Sequence, residues 1–233
     1  MTNDQWPMSN DMIIPIFPLT VVQFPGVITP LHIFEPRYRQ MMKDILLGEK
    51  TFGILYPGEG NEDEAPEIGR VGCTVEVIAH EEQSDGRSNI LCAGKDRFRI
   101  LSLVEGEPYY QAEVENFEDD IAFDSLTDVT ERAKELFLRI IVAGKKLRDL
   151  SETEENQTPD LPDDSVALSF IIAASLDVSL DEKQLWLEMT NTNRRLSILS
   201  NNLKELVETY ELRAQVHKIA RTNGRAGKAP DLT

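Results

Sequence analysis

The stretch PLHIFEPRYRQMM, Pro30–Met42, contains a helix start and says more about the fold than any other segment. Pro36 suits the first turn of a helix, because the backbone N–H that proline lacks has no intrahelical partner there. Apolar residues then recur at the three- and four-residue steps of one helical face: Tyr38, Met41, Met42 and Ile45. Gly48 suits the end of such a helix. We therefore predict a short helix with one buried face.

The charged residues around this helix start look structural. Glu35 stands before Pro36, where an acid can accept hydrogen bonds from free N–H groups and suits the helix dipole. Arg37 and Arg39 fall in the first turn, which is unfavourable for cations unless each finds an acid. We predict that Arg37 is held by a carboxylate and clamps the helix to a barrel.

The rest of the first half has the pattern of strands. The apolar segment from Ile13 to Pro25 is interrupted by prolines, so we predict an edge strand or short, kinked strands there. From Val71, strict alternation predicts a half-buried strand with Cys73, Val75 and Val77 on one face. Asp85-Gly86 then marks a turn. Short strands at close spacing predict a small β-barrel over residues 12–120.

One strand carries two arginines. In the segment GKDRFRI, residues 94–100, Arg97 and Arg99 share one face, whereas Phe98 and Ile100 share the other. Basic and aromatic residues in alternation can bind nucleic acid. Pairing of the two arginines with the many acidic residues is the favoured interpretation.

The second half has the pattern of helices. Asp128-x-x-Glu131 and Ser179-x-x-Glu182 resemble capping boxes, and the segment from Ser151 to Asp164 is an acidic loop. An almost wholly apolar helix follows that loop. A long helix from about Asn193 carries an apolar stripe: Leu196, Leu199, Leu203, Leu206 and Tyr210. We predict an α+β protein with a helical bundle over 125–220 and a disordered tail over 221–233.

Composition excludes several functions. The net charge of −17, from 24 basic and 41 acidic residues, argues against nucleic acid and anionic membrane surfaces as partners. No run of 18 apolar residues occurs, and no signal peptide begins the chain, which favours a cytoplasmic protein. Cys73 and Cys92 lack C-x-x-C spacing and are interpreted as reduced core residues. Phosphate-loop, nucleophile-elbow and histidine metal motifs are absent, so we expect no cofactor, no metal and no catalytic residue.

Several motifs together resemble a known family. IPIFPL (14–19), FPG (24–26) and PLHIFEPRYR (30–39), followed in order by VGC, DGR, GKDRFRI and PYYQAEV, resemble the Lon N-terminal domain, the substrate-binding region of ATP-dependent Lon proteases. The resemblance implies a PUA-like barrel followed by a helical bundle. It also implies a signature formed by Glu35, Pro36, Arg37, Tyr38 and Arg97. Because the chain ends at Thr233, before an ATPase or serine–lysine peptidase domain could fit, we expect no enzyme.

The resemblance implies a module that binds unfolded or partly folded polypeptides in protein quality control or proteolysis. Extended peptides can add to a strand edge while apolar pockets select side chains. The residues expected to contact peptide are Phe17, Phe24, Pro25, Leu31 and Phe34. One alternative is a scaffold that docks a protease or another folded partner through the long helix and a basic tail (Arg221, Arg225, Lys228). A PUA-like RNA binder is disfavoured by charge, and a hydrolase is supported only by the surplus carboxylates.

Overall fold

A computed structural model describes residues 12–61, 64–105, 108–120, 126–147 and 159–225. The first part contains six strands and one helix, and helices follow, which confirms the α+β prediction. The strands are β1 Met12–Pro18, β2 Ile28–Ile33, β3 Thr51–Leu55, β4 Val71–Glu82, β5 Ser88–Val104 and β6 Tyr110–Asn116. The helices are α1 Pro36–Leu46, α2 Thr127–Leu147, α3 Ser165–Ser175, α4 Leu180–Glu188 and α5 Thr192–Arg225.

Five of the strands form a closed ring. The order is β2-β5-β4-β3-β1-β6, and an additional pairing of β5 with β6 closes the ring, with β2 attached outside it to β5. Of the two alternatives predicted for the first segment, an edge strand is wrong, because β1 lies between β3 and β6. Its prolines fit because β1 changes partner at Ile16: Pro15 has a register partner only in β6, and Pro18 only in β3. Each proline thus faces a single neighbouring strand.

Two groups of apolar side chains make up the core of this part. One fills the ring around Phe98, which is 1% exposed. A Cβ atom added at Gly72 would lie 2.5 Å from the Phe98 ring, so this position needs glycine. The other group lies under α1, whose predicted face is confirmed as buried: Tyr38, Met41, Met42 and Ile45. Each such side chain contributes about 1.5–3 kcal/mol to stability on full burial.

The first of the two compact units ends at Asp120, where the predicted barrel range ends, but it also contains a later segment that the prediction placed in the helical bundle. The first unit comprises residues up to Asp120 together with Phe170–Thr190. Specific contacts explain the assignment of that later segment: the Phe24 and Phe170 rings lie 6.0 Å apart, and Gln184 donates to the Val71 carbonyl over 2.9 Å. Ser179 caps α4 as predicted, accepting a hydrogen bond from the Glu182 N–H.

The second unit contains α2, the start of α3, and α5. Its core uses Ala133, Leu136 and Phe137 of α2 against a stripe on α5. That stripe includes Leu196, Leu199 and Leu203 as predicted, but Val207 continues it, and the predicted Leu206 and Tyr210 are only half-buried. From Leu199 the buried positions recur every four residues, at Leu203 and Val207, and this spacing passes over Leu206 and Tyr210.

Several predicted boundaries change in this half. Asp128 lies inside the first turn of α2 and therefore does not cap it. Of the predicted acidic loop, residues 159–164 are loop, and the preceding part lies outside the described residues. Residues 221–225 continue α5, so this part of the predicted tail is helical, whereas 226–233 lie outside the described residues. None of the helices in the described ranges has the length and apolar character needed to cross a membrane.

Candidate functional site

Two strands extend beyond the ring and build a three-stranded arm. β4 has 12 residues and β5 has 17, so their paired ends reach past the barrel, where β2 joins β5. We define the arm as β2 together with residues 88–93 of β5 and residues 77–82 of β4. One face of the arm is buried: Ile33, Val77, Ile90 and Cys92 pack in the same cluster as α1.

The opposite face of the arm is open. The strand register forms two rows across the arm. In the first row Leu91 lies between Pro30 and Ala79, and in the second row Asn89 lies between His32 and Glu81. Residues opposite one another share a face of a sheet. We call the surface formed by these six residues the arm face. It borders a groove of about 460 Å³ lined by Pro30, Leu31, His32, Ala79, His80, Glu81, Asn89, Ile90 and Leu91.

Exposed apolar side chains lie on the arm face and next to it. Leu91 is 40% exposed, and Ile78, at the bulge in β4, is 50% exposed. Ile28 and Phe34, which precede and follow the arm residues of β2, are 60% and 59% exposed. Exposed apolar residues grouped in this way mark binding surfaces more often than single ones do. The arm face therefore offers a concave, partly apolar site of the kind that binds a ligand side chain.

Polar groups lie at one end of this surface. The Nδ1 atom of His32 lies 2.8 Å from Oδ1 of Asn89, and the His32 and Phe34 rings stack with centroids 6.1 Å apart. Glu81 is exposed beside Asn89. The arm face thus has an apolar end, around Pro30 and Leu91, and a polar end with an acid.

The free edge of the sheet is β2. Among the described residues this strand pairs only with β5. Pro30 stands in the middle of β2 and has no N–H, and proline fits within a strand only where its nitrogen faces away from the ladder. The outer edge therefore lacks its central donor, a feature that discourages pairing with another chain.

The five residues predicted to contact peptide do not form one surface. Phe17 and Phe24 are 6% and 1% exposed and belong to the core, because Phe17 packs on Tyr38 with ring centroids 3.9 Å apart and Phe24 packs on Phe170. Pro25 is half-buried. Leu31 lines the groove, and Phe34 is exposed beside His32. Peptide contact by Leu31 and Phe34 stays a prediction.

Sequence reasoning missed all six residues of the arm face: Pro30, His32, Ala79, Glu81, Asn89 and Leu91. In the structure, Ile28, Pro30, His32 and Phe34 alternate with less exposed residues. The sequence ITPLHIF shows no matching alternation, because apolar residues occur at both sets of alternating positions. The partner residues on β4 and β5 depend on register. The chain pattern alone does not fix register.

Two charged residues of the signature, Glu35 and Arg37, pair with each other. Glu35 occupies the N-cap of α1, but its side chain caps no N–H; it binds Arg37, with Nη2 and Oε2 3.0 Å apart. Arg37 has its predicted carboxylate, but that partner is two residues away, so this pair does not clamp the helix to the barrel. Arg39 makes that link, because its Nη2 donates to the Asp85 carbonyl in the β4–β5 turn over 2.9 Å.

Burial changes the chemistry of three groups in the first unit. Desolvation raises the pKa of Tyr38 from 10.0 to about 12. Burial likewise raises the pKa of the Cys73 and Cys92 thiols from 9.0 to about 12, and both cysteines are free, as predicted. Thiols with such pKa values are poor nucleophiles and poor metal ligands at neutral pH. In the part of the chain that the structure describes, no group of three or more His, Cys, Asp or Glu residues could hold a metal ion.

The family model that matches this chain is described as the ATP-dependent protease La (LON) substrate-binding domain and covers residues 13–205. The Lon protease of Syntrophus aciditrophicus is 26% identical over 220 residues, covering 88% of this chain and 26% of the relative. The Lon protease of Trichlorobacter lovleyi is 27% identical over 215 residues, covering 90% and 26%. This chain therefore spans about a quarter of the length of these curated relatives.

Two solved structures share the fold. The Lon N-terminal domain protein from Xanthomonas campestris superposes with a TM-score of 0.58 at 22% identity, covering 81% of this chain and 96% of that chain. The N-terminal domain of the Mycobacterium avium complex Lon protease gives 0.60 at 16% identity, covering 83% and 98%. The fold is thus Lon N-terminal-like and α+β. The PUA-like type of the barrel and the helical bundle stay predictions.

Proposed function

Because the chain belongs to the LON substrate-binding domain family, we propose that it binds extended, unfolded polypeptide segments on its arm face. The observation that carries the proposal is the open face of the arm, where Pro30, Leu91 and Ala79 form an apolar surface beside a groove of about 460 Å³. A segment that is buried in a folded protein but free in an unfolded one would bury its apolar side chains there. This chain binds polypeptide and does not cleave it, and it serves protein quality control or proteolysis.

The face of the sheet is a better docking surface than its edge. Strand addition at β2 would meet Pro30, which offers no N–H to an added strand. The arm face, in contrast, offers exposed side chains without requiring backbone pairing. The peptide site therefore shifts from the strand edge expected from the sequence to the side chains of the arm.

Binding to one protein in two states tests the proposal. Labelled lysozyme, either native or reduced and alkylated with a neutral reagent, would be titrated with the protein while fluorescence anisotropy is followed. We expect the unfolded form to bind and the native form to bind at least tenfold more weakly. Equal binding of the two forms would contradict recognition of unfolded chains.

Two matched variants test the location of the site. Leu91→Gln removes an apolar side chain from the arm face, and Leu103→Gln does the same at a residue of the same strand outside the arm, with 37% exposure against 40%. Loss of about 1 kcal/mol of apolar burial predicts roughly fivefold weaker binding for Leu91→Gln. We expect Leu103→Gln to bind as the parent protein does. The reverse order would place the site elsewhere.

A second candidate function is docking of one specific folded partner on α5. Leu212 and Val216 are 62% and 58% exposed and lie four residues apart, on one face of the helix. A purified partner that forms a one-to-one complex would support this function if Leu212→Ser with Val216→Ser abolished the complex and Leu91→Gln did not. The predicted contribution of the tail stays a prediction, because Lys228 lies outside the described residues and only the backbone of Arg221 and Arg225 is described.

A further inference from the structure

We propose that the arm face selects polypeptide segments whose apolar residues are flanked by Lys or Arg, and discriminates against segments flanked by Asp or Glu. This inference rests on the proposed function, because it names the ligand class of the same site. The basis of the inference is a carboxylate of the β4–β5 hairpin that has no ion-pair partner and lies beside an apolar surface.

Each Lys and Arg side chain of the hairpin has an acidic partner. Lys95 pairs with Glu76 at 2.7 Å and Arg87 with Asp85 at 2.6 Å. Arg97 and Arg99 pair with acids beyond the hairpin, Asp119 and Glu115. No Lys or Arg side chain of this hairpin is left to attract an acidic ligand, and the imidazole of His80 is the one other basic group of the hairpin that lines the groove.

Two acids at the end of β4 differ from these paired groups. Within the described ranges, Glu81 and Glu82 have no ion-pair partner, and both are exposed. Glu81 lines the groove and lies on the arm face opposite Asn89, whereas Glu82 belongs to the other face of the strand. The charged group that a ligand on the arm face meets is therefore the Glu81 carboxylate.

The position of Glu81 sets the ligand pattern. Along β4, Ala79 and Glu81 are two residues apart, which is about 7 Å. An apolar ligand side chain over Leu91 and Ala79 would therefore place a flanking residue within reach of the carboxylate. A Lys or Arg there is attracted and an Asp or Glu is repelled, and the overall charge of −17 adds to both effects.

Three peptides with one apolar core and Lys, Ser or Glu flanks test the selection. Dissociation constants would be measured for the parent protein, Glu81→Gln, and Glu67→Gln as a control. Glu67 is an exposed acid before the opposite end of β4, so its replacement makes the same change in net charge away from the arm. For exposed charge pairs we expect roughly tenfold tighter binding of the Lys-flanked than of the Glu-flanked peptide at low salt. This ratio should shrink at 0.5 M salt.

Each outcome decides between the two proposals. A ratio that falls toward one in Glu81→Gln but persists in Glu67→Gln supports the selection by Glu81. If all three peptides bind equally well and Leu91→Gln weakens each of them, the charge selection is overturned and the peptide site stands. If Glu67→Gln lowers the ratio as much as Glu81→Gln does, net charge alone acts and the role of Glu81 is overturned. If the Ser-flanked peptide does not bind, the proposed function itself fails.

Discussion

Arg97 and Asp119 form an ion pair whose side chains are only 3% and 7% exposed. The same guanidinium donates to the backbone carbonyls of Leu187 and Met189, over 2.7 and 3.1 Å. The rings of Phe117 and Phe170 lie 4.8 and 5.1 Å from its central carbon. A single side chain of β5 thus holds the segment after β6 and the end of α4 in the first unit.

Replacing Arg97 with Ala should be strongly destabilising. The change removes one side of a buried ion pair, which typically costs about 3–5 kcal/mol in the free energy of unfolding. Arg99→Ala is the matched control two residues along the same strand. Its pair with Glu115 is 42% and 45% exposed, so the loss should be about 0–1 kcal/mol. Urea unfolding measures both, and equal losses would show that the buried pair is not a stabilising link.

The link between α1 and the β4–β5 turn makes a second prediction. Gly86 has a φ of +79°, and a Cβ added there would lie 2.1 Å from Nη2 of Arg39. Gly86→Ala should therefore lower the free energy of unfolding by about 1–3 kcal/mol, through backbone strain and displacement of Arg39. In an Arg39→Ala background only the strain remains, so the loss should be smaller.

A double-mutant cycle by urea unfolding measures this coupling. The same Gly86→Ala change in an Arg37→Ala background serves as the control, since Arg37 pairs with Glu35 and not with the turn. If Gly86→Ala is coupled to Arg37 and not to Arg39, then Arg37 links α1 to the barrel, as the sequence predicted, and the role given to Arg39 is wrong.

The sequence allowed prediction of elements whose pattern is local. Tyr38, Met41, Met42 and Ile45 define the buried face of α1 by their spacing alone, and Pro36 marks its start. Ser179 caps α4 for the same reason, because its partner, the Glu182 N–H, is three residues away. These features depend on neighbours along the chain, so the sequence contains them.

Features that depend on distant partners were mispredicted or missed. Arg97 was expected to pair with an acid as part of an amphipathic strand, and it does so. Its burial was missed, because the carbonyl groups that accept its hydrogen bonds are 90 and 92 residues away in the chain. The position of β1 between two strands was missed, because the change of its partner at Ile16 cannot be read from its own residues. The arm face was missed because register brings Leu91 between Pro30 and Ala79.

The two thiols should be unreactive in the folded protein. Burial raises the pKa of Cys73 and Cys92 to about 12, so the thiolate fraction at pH 8 is on the order of 10⁻⁴. We expect almost no reaction with a disulfide reagent such as DTNB in native buffer, and two thiols per chain in guanidinium chloride. Rapid reaction of either thiol in native buffer would contradict its burial.

Alkaline pH should destabilise the fold through the same groups. Well below pH 9 both states keep the thiol protons. Between about pH 9 and 12 the unfolded chain releases them while the folded chain retains them, so the free energy of unfolding falls as pH rises. Tyr38 acts in the same direction above pH 10. Urea unfolding from pH 8 to 11 measures the slope, and Cys73→Ala should reduce it; an unchanged slope would remove Cys73 as a cause.

Pro30 should keep the protein from pairing with itself along β2. Pro30→Thr restores an N–H at the middle of the one free edge described, and Thr favours strand structure, so edge-to-edge association becomes possible. Ile28→Thr is the control, because it introduces the same residue on the same strand without adding a donor. Sedimentation at increasing protein concentration should show association for Pro30→Thr and no change from the parent protein for Ile28→Thr. Equal association of the two variants would mean that side chains, and not the missing N–H, control the edge.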